Sequence, residues 1–334
     1  MLLSACGVNS TAKMPKGPFI NSIIFSPDNK HLIFDVVFRK HRFELGLYNI
    51  ETEELKAFTL DPNFSWLEPA FSPDGRYLAV RKSSVSQFKG SEKGSWIALL
   101  DLQAKERTIR LLHSGNIFQY APSFSPDGKW LAYFEAPMAS DKTGAPFPVT
   151  DKGVTINRTH IETGQIEKVY YTPRKGYGAK IRYLSKDFIW GYVGFFDSKN
   201  GMAELISIGS LKKEDEPAWL KLFGDTKARI LASKNETYLI KSSSTDDVYN
   251  WTISRPRNGS GLFVRRKGQY KSLLRPGHYF SSYQISQDGK KALIFQTGDE
   301  AGFWIIDTET GDKKKTVLYE KLIRELEAFK HNRQ

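Results

Sequence analysis

Four stretches of the chain share one order of apolar and polar positions. In Phe25-Ser26-Pro27-Asp28-Asn29-Lys30-His31-Leu32-Ile33-Phe34 an apolar residue leads into a short polar turn, and an apolar run follows it. The order returns in Phe71-Ser72-Pro73-Asp74-Gly75-Arg76-Tyr77-Leu78-Ala79-Val80 and in Phe124-Ser125-Pro126-Asp127-Gly128-Lys129-Trp130-Leu131-Ala132-Tyr133. A looser copy is Ile285-Ser286-Gln287-Asp288-Gly289-Lys290-Lys291-Ala292-Leu293-Ile294. Proline presets φ near −65° for the first corner of a turn. The Asp side chain accepts local backbone hydrogen bonds. Gly, or Asn29 in the first copy, takes the left-handed position at little steric cost. Each copy therefore predicts a hairpin of two antiparallel strands.

The spacing extends the repeat. Phe25 to Phe71 is 46 residues, Phe71 to Phe124 is 53, and Phe124 to Ile285 is 161, about three periods. Two degenerate copies are expected in that last gap. Leu184–Trp190, with a shortened turn, and Ala232–Ile240 are the segments that fit. After each hairpin a third strand is expected: Leu45–Ile50, Trp96–Leu102, Val154–Ile161, Ala203–Ile208, Gly261–Arg266 and Phe303–Thr308. Fourth strands are expected at Leu55–Leu60, Arg107–Leu112, Ile166–Tyr171, Trp219–Phe223, Tyr270–Leu274 and Lys315–Tyr319. Four antiparallel strands in a unit of about 50 residues is the signature of a propeller blade. The fold class read from this is all-β, a six-bladed β-propeller over residues 18–319. A short C-terminal helix follows, with a tail over 320–334. Apolar residues at 318, 319, 322, 323, 326 and 329 give that helix one stripe.

The repeated Phe-Ser-Pro-Asp-Gly-(Lys/Arg)-x-Leu-Ala pattern resembles the propeller repeat of the TolB family and covers nearly the whole chain. The resemblance implies the propeller fold and a partner-binding role in the bacterial envelope. It leaves no stretch here for the separate α/β domain that TolB carries, so roles of that domain are not implied. The same repeat also occurs in propellers of peptidases and of some pectin lyases.

Composition narrows the class. Of 334 residues, 40% are hydrophobic and 26% charged, which is globular rather than disordered or fibrous. No apolar run reaches the roughly 18 residues that span a bilayer. Forty-nine basic against 37 acidic residues give a net charge of +12, which favours anionic partners or is simply a solvated basic surface. The basic residues are scattered, with short tracts at Arg265–Lys267 and Lys313–Lys315 and no nucleic-acid module, so no nucleic acid is expected as a partner.

The single cysteine excludes an internal disulfide. It lies in Leu3-Ser4-Ala5-Cys6-Gly7, which resembles the lipobox of bacterial lipoproteins, a family in which the signal is cut before the Cys and the Cys is acylated. Only three residues precede the motif, so the basic and apolar regions of a signal peptide are missing and the true start would lie upstream. Cys6 is thus the expected lipid-attachment residue. Residues 7–17, small and polar with Pro and Gly, read as a flexible tether, so 1–17 form a lipobox-and-tether segment. Gly7 after the Cys lacks the Asp that holds many such proteins at the inner membrane, so the resemblance favours the outer membrane.

Catalytic motifs are scarce. The chain has no Gly-x-Ser-x-Gly elbow, no phosphate loop, no Cys-x-x-Cys and no His-Glu-x-x-His. No cofactor is expected. His113 and His278 fall in segments joining one blade to the next and are weak metal-site candidates for a lyase or lactonase reading. The expected binding face is the one carrying those joining segments and the long loops Val85–Gly94, Pro137–Gly153 and Ser244–Ser260. Its candidate partner-binding residues are Trp66, Tyr120, Phe147, Tyr177, Trp251 and Tyr279, some of which are expected to be wedges between blades. The functional expectation is a monomeric, non-catalytic, lipid-anchored scaffold binding an envelope protein or peptide. The alternatives are a metal-assisted polysaccharide lyase or lactonase, and a non-enzymatic binder of acidic glycan or lipid headgroups.

Overall fold

The computed structural model describes residues 19–39, 42–58, 60–61, 63–84, 93–104, 109–113, 115–140, 146–173, 175–185, 188–195, 202–207, 236–240, 249–253, 260–266, 269–278, 280–286, 290–296 and 302–331. These residues are almost entirely strand, with one α-helix near the C-terminus. No helix among them is long and apolar enough to cross a membrane.

The first sheet is the antiparallel meander β1 (Phe19–Phe25), β2 (His31–Arg39), β3 (Arg42–Asn49) and β4 (Leu55–Phe58). A nine-stranded sheet follows and resolves into two meanders. One is β5 (Phe64–Phe71), β6 (Tyr77–Ser84), β7 (Ser95–Asp101) and β8 (Ile109–Leu111). The other is β9 (Ile117–Phe124), β10 (Trp130–Ser140), β12 (Val154–His160) and β13 (Ile166–Thr172), with β11 (Pro146–Pro148) added on β10. Only one parallel contact, Ser95 opposite Phe118, joins the two meanders. The next sheet is β14 (Gly176–Ser185), β15 (Phe188–Phe195) and β16 (Met202–Ser207). Then come β17 (Glu236–Ile240), β18 (Tyr249–Ile253), β19 (Ser260–Arg266) and β20 (Gln269–His278). The last sheet is β21 (Phe280–Ile285), β22 (Lys291–Gln296), β23 (Gly302–Asp307) and β24 (Lys313–Lys315), followed by helix α1 (Leu318–His331).

The core lies between sheets rather than inside any one of them. Ile33 and Leu45 of the first sheet pack with Trp66, Leu78 and Trp96 of the second meander. Ala79, Ile97 and Leu99 pack on Phe124, Leu131 and Tyr133 of the third. Phe134 and Ile156 pack on Ile181 and Ile189 of the next sheet. Ile23, Leu32, Phe34 and Tyr48 of the first sheet meet Leu293, Phe303 and Ile305 of the last. At these four junctions the sheets stack face to face, and the first meets the last, which is the arrangement of a β-propeller.

The hairpins stand where the repeat places them in five of six cases. Ser26, Ser72, Ser125 and Ser286 each exchange a backbone bond with the residue five positions on, at 2.8–2.9 Å. The shortened copy near residue 184 is the β14–β15 hairpin. Of the copy read at Ala232–Ile240, Glu236–Ile240 is β17, and its turn lies outside the described residues. β17 pairs with β18, Tyr238 opposite Trp251, across the connection 241–248. That connection, Lys-Ser-Ser-Ser-Thr-Asp-Asp-Val, has neither Pro nor Gly, and its polar run reads as a loop. The last strand is β24 at Lys313–Lys315, not Lys315–Tyr319, because the helix begins at Leu318. The expected strand Trp219–Phe223, the Cys6 lipobox and the tether lie outside the described residues.

Candidate binding face

Antiparallel pairing gives the sheets two unlike ends. At one end stand the tight hairpin turns that join first to second strands. The Ser26, Ser72 and Ser125 hydroxyls donate to Asp28, Asp74 and Asp127 at 2.5, 2.5 and 2.6 Å. Each serine oxygen also accepts the amide of the residue five positions on, at 2.8–2.9 Å. The carboxylates accept the amides of Lys30, Arg76 and Lys129. The Ser72 hydroxyl is the largest influence on Asp74 and holds its carboxyl below the usual range. At Asp28 and Asp127 burial pushes upward, but the Ser26 and Ser125 hydroxyls and the backbone amides together bring both below it. Asn29, Gly75 and Gly128 hold positive φ of 58°, 74° and 72°. Successive turns touch: a Cβ on Gly75 would lie 3.7 Å from Pro27, and one on Gly128 3.5 Å from Pro73.

The other end carries the starts of the first strands, the connections between sheets and the longer loops. There β10 overshoots its neighbour. Pro137 is level with Ile117 near the start of β9, and Met138–Ser140 continue beyond it, paired with β11. The Val149 amide closes the base of this flap on the Pro137 carbonyl at 2.7 Å. Pro137 and Ser140 are exposed.

Below this face the first strands are tied by two carboxylates at β-bulges, one buried and one half-buried. Asp35, fully buried on β2, accepts the amide of Ser22 at 2.5 Å and, from the next sheet, the amide of Glu68 at 2.8 Å. Glu68 in turn accepts the amide of Ala121 of the following sheet at 2.6 Å and pairs with Arg81 at 3.0 Å. The registers slip next to these residues in β1, β5 and β9–β10, which are bulged there. Glu68 and Ala121 hold φ of 53° and 54°, which the carboxylate bonds stabilise against the side-chain preference. Gln119, also fully buried, bonds Ile97 N and Glu135. Asp35, Glu68 and Gln119 are absent from the sequence-derived candidates. Their signals were a single carboxylate inside the apolar run Leu32–Phe38 and a Pro directly after Glu68 in a strand.

The expected partner-binding residues divide. Trp66 lies in β5, 3% exposed, with its indole N–H donating to the Asp61 carbonyl at 3.0 Å. Tyr120 lies in β9, 8% exposed, stacked on Phe134 with centroids 5.2 Å apart. Both are wedges between sheets. First strands are covered on both faces, so they lack the alternation that marks a strand and read as joining segments. Tyr177 lies in β14 opposite Gly194 rather than in a joining segment. Trp251 lies in β18 opposite Phe263 rather than in a loop. Phe147 lies in β11 at the flap, opposite Ala139. Tyr279 lies outside the described residues. His113 is exposed between β8 and β9, and His278 ends β20. Among the described residues no three His, Cys, Asp or Glu side chains are grouped to hold a metal.

No protein-family model and no curated protein matches the chain. Solved structures do. An oligogalacturonate lyase from Vibrio parahaemolyticus is similar at 12% identity and a TM-score of 0.51, over 92% of this chain and 82% of that one. TolB from Acinetobacter baumannii is similar at 18% identity and 0.47, over 89% and 62%. The β-propeller domain of the Trilobed protease from Pyrococcus furiosus is similar at 10% and 0.49, over 93% and 99%.

Proposed function

We propose that the chain is a six-bladed propeller, carried at the cell envelope as a lipoprotein acylated at Cys6, that binds a protein or peptide partner on its loop-bearing face without catalysis. The supporting observation is the asymmetry of the two ends. The turn end is filled by self-satisfied hydrogen bonds and Pro-on-Gly contacts, whereas the loop end carries a projecting flap over an ordered, carboxylate-tied scaffold. Variable loops on a rigid frame are where recognition is usually placed. The six-blade count combines the meanders β1–β4, β5–β8, β9–β13, β14–β16, β17–β20 and β21–β24, with Trp219–Phe223 as the missing fourth strand of β14–β16. Outer-membrane residence follows the lipobox resemblance. Replacing residues 141–147 with a Gly-Ser link is the test. Affinity capture from envelope membranes loses the partner when the flap is replaced, and Cys6→Ser moves the protein to the soluble fraction. Capture of the same partner by the flap-less chain contradicts the reading.

The alternative is a metal-assisted polysaccharide lyase or lactonase, which the likeness in fold to an oligogalacturonate lyase supports. Incubation with oligogalacturonate and Mn²⁺ separates the two: a lyase releases unsaturated products, and a binder leaves the chain length unchanged. A third reading, binding of acidic glycan or lipid headgroups, draws on the charge of +12. It predicts retention on anionic vesicles that salt abolishes.

A further inference from the structure

We infer that helix α1 is the clasp that holds the first sheet to the last, and that the junction beneath it opens before the other described junctions. The inference is independent of the binding reading.

The junctions differ in what ties them. Between the first and second meanders the Asp35 carboxylate takes the Glu68 amide, and the Ser65 hydroxyl takes the Phe43 amide at 3.2 Å. Between the second and third, Glu68 takes the Ala121 amide, Ser95 donates to the Gln119 carbonyl at 3.0 Å, and Gln119 takes the Ile97 amide at 3.1 Å. These ties join backbone to side chains that are buried or, at Glu68, half-buried. Between the first sheet and the last sheet with its helix, three of the ties run through lysine ammonium groups on long stems. Lys291 donates to the Asn29 carbonyl at 3.4 Å, Lys321 donates to the Glu53 carbonyl, and Lys314 faces the Glu53 carboxylate at 3.7 Å. Flexible side chains of this kind hold a geometry weakly.

The turn end shows the same break. At the earlier junctions the Pro of one turn rests against the Gly of the next. At the closing junction the sequence has Gln287 in place of that Pro and Asn29 in place of that Gly. Among the described residues no strand passes from the first sheet to the last; β1–β4 and β21–β24 are each made from one stretch of chain.

The helix supplies what is missing. Leu318 and Leu322, 0% and 1% exposed, enter the core that contains Ile23, Phe34 and Tyr48 of the first sheet and Leu293 and Phe303 of the last. Tyr319 packs edge-on against Phe295 with centroids 5.2 Å apart. Lys321, on the same turn, is one of the three lysine ties. One helical turn therefore touches both sheets, and its removal leaves the junction to the sheets' own side chains.

Hydrogen exchange on the full chain, wild type against Leu322→Ala, tests the clasp. Amides of β1–β3 and β22–β23 are expected to exchange about tenfold faster or more in the variant, with those of β6 and β10 unchanged. An even rise in all sheets, or protection lost only within the helix, overturns the inference. Should the variant fail to fold, native-state exchange of the wild type in rising urea decides it. The first and last sheets must then open at lower urea than β6 and β10; simultaneous opening, or earlier opening of β6 and β10, contradicts the clasp.

Discussion

At the turn end Ser26, Ser72 and Ser125 repeat one set of hydrogen bonds almost atom for atom, while at the loop end the connections of the first three meanders differ. The link from β2 to β3 is two residues, that from β6 to β7 is ten, and that from β10 to β12 contains a strand of its own. The turn end is specified by local chemistry: a hydroxyl, a carboxylate and a left-handed residue satisfy each other within six positions of chain. The loop end is specified by contacts between sheets, through Asp35, Glu68 and Gln119, whose partners lie 13–53 residues away. Repetition at one end and divergence at the other is the asymmetry on which the proposed recognition at the loop end rests.

The sharpest way to break the comparison is at the aromatic wedges. Trp66→Ala is expected to cost about 3–5 kcal/mol in urea denaturation, as loss of a buried Trp does. A loss of partner affinity with full stability would return Trp66 to the binding surface. Asp35→Ala comes next, at about 3 kcal/mol, because two bulge amides lose their buried acceptor. Restored stability in Asp35→Asn would show that the oxygen matters more than the charge.

The unequal legibility of the two ends has the same origin. Pro27, Pro73, Gly75, Pro126 and Gly128 announce turns because their backbone preferences act within a few residues. Phe64, Trp66, Phe118 and Tyr120 were readable as aromatic but not as interior, since burial depends on neighbouring sheets. The hairpin between β17 and β18 escaped because Ser242–Asp247 offers polar residues without either punctuating residue. The bulge carboxylates were visible only as oddities, a charge in an apolar run and a Pro in a strand.

At the turn end Ser72→Ala is expected to cost about 1–2 kcal/mol, since Asp74 and the Tyr77 amide both lose a partner. The same turns set an acid limit. Asp28, Asp74 and Asp127 titrate lower in the folded chain than in the unfolded one. Their contribution is therefore full above the ordinary carboxylate value and is lost as pH falls through the folded values. Ser72→Ala should make the stability of the chain fall less steeply as pH drops below the ordinary carboxylate range. An unchanged acid slope would remove the hydroxyl as the cause. The smallest effect belongs to the loop end, where a Gly-Ser link in place of residues 85–90 should change stability by about 0.5 kcal/mol or less.

Site-specific photocrosslinking in envelope preparations addresses the binding face most directly, with the probe at Phe147 of the flap or at Lys129 of the opposite turn. A crosslinked partner is expected from position 147 and not from 129. Crosslinking from 129 alone, or equally from both, would contradict recognition at the loop end.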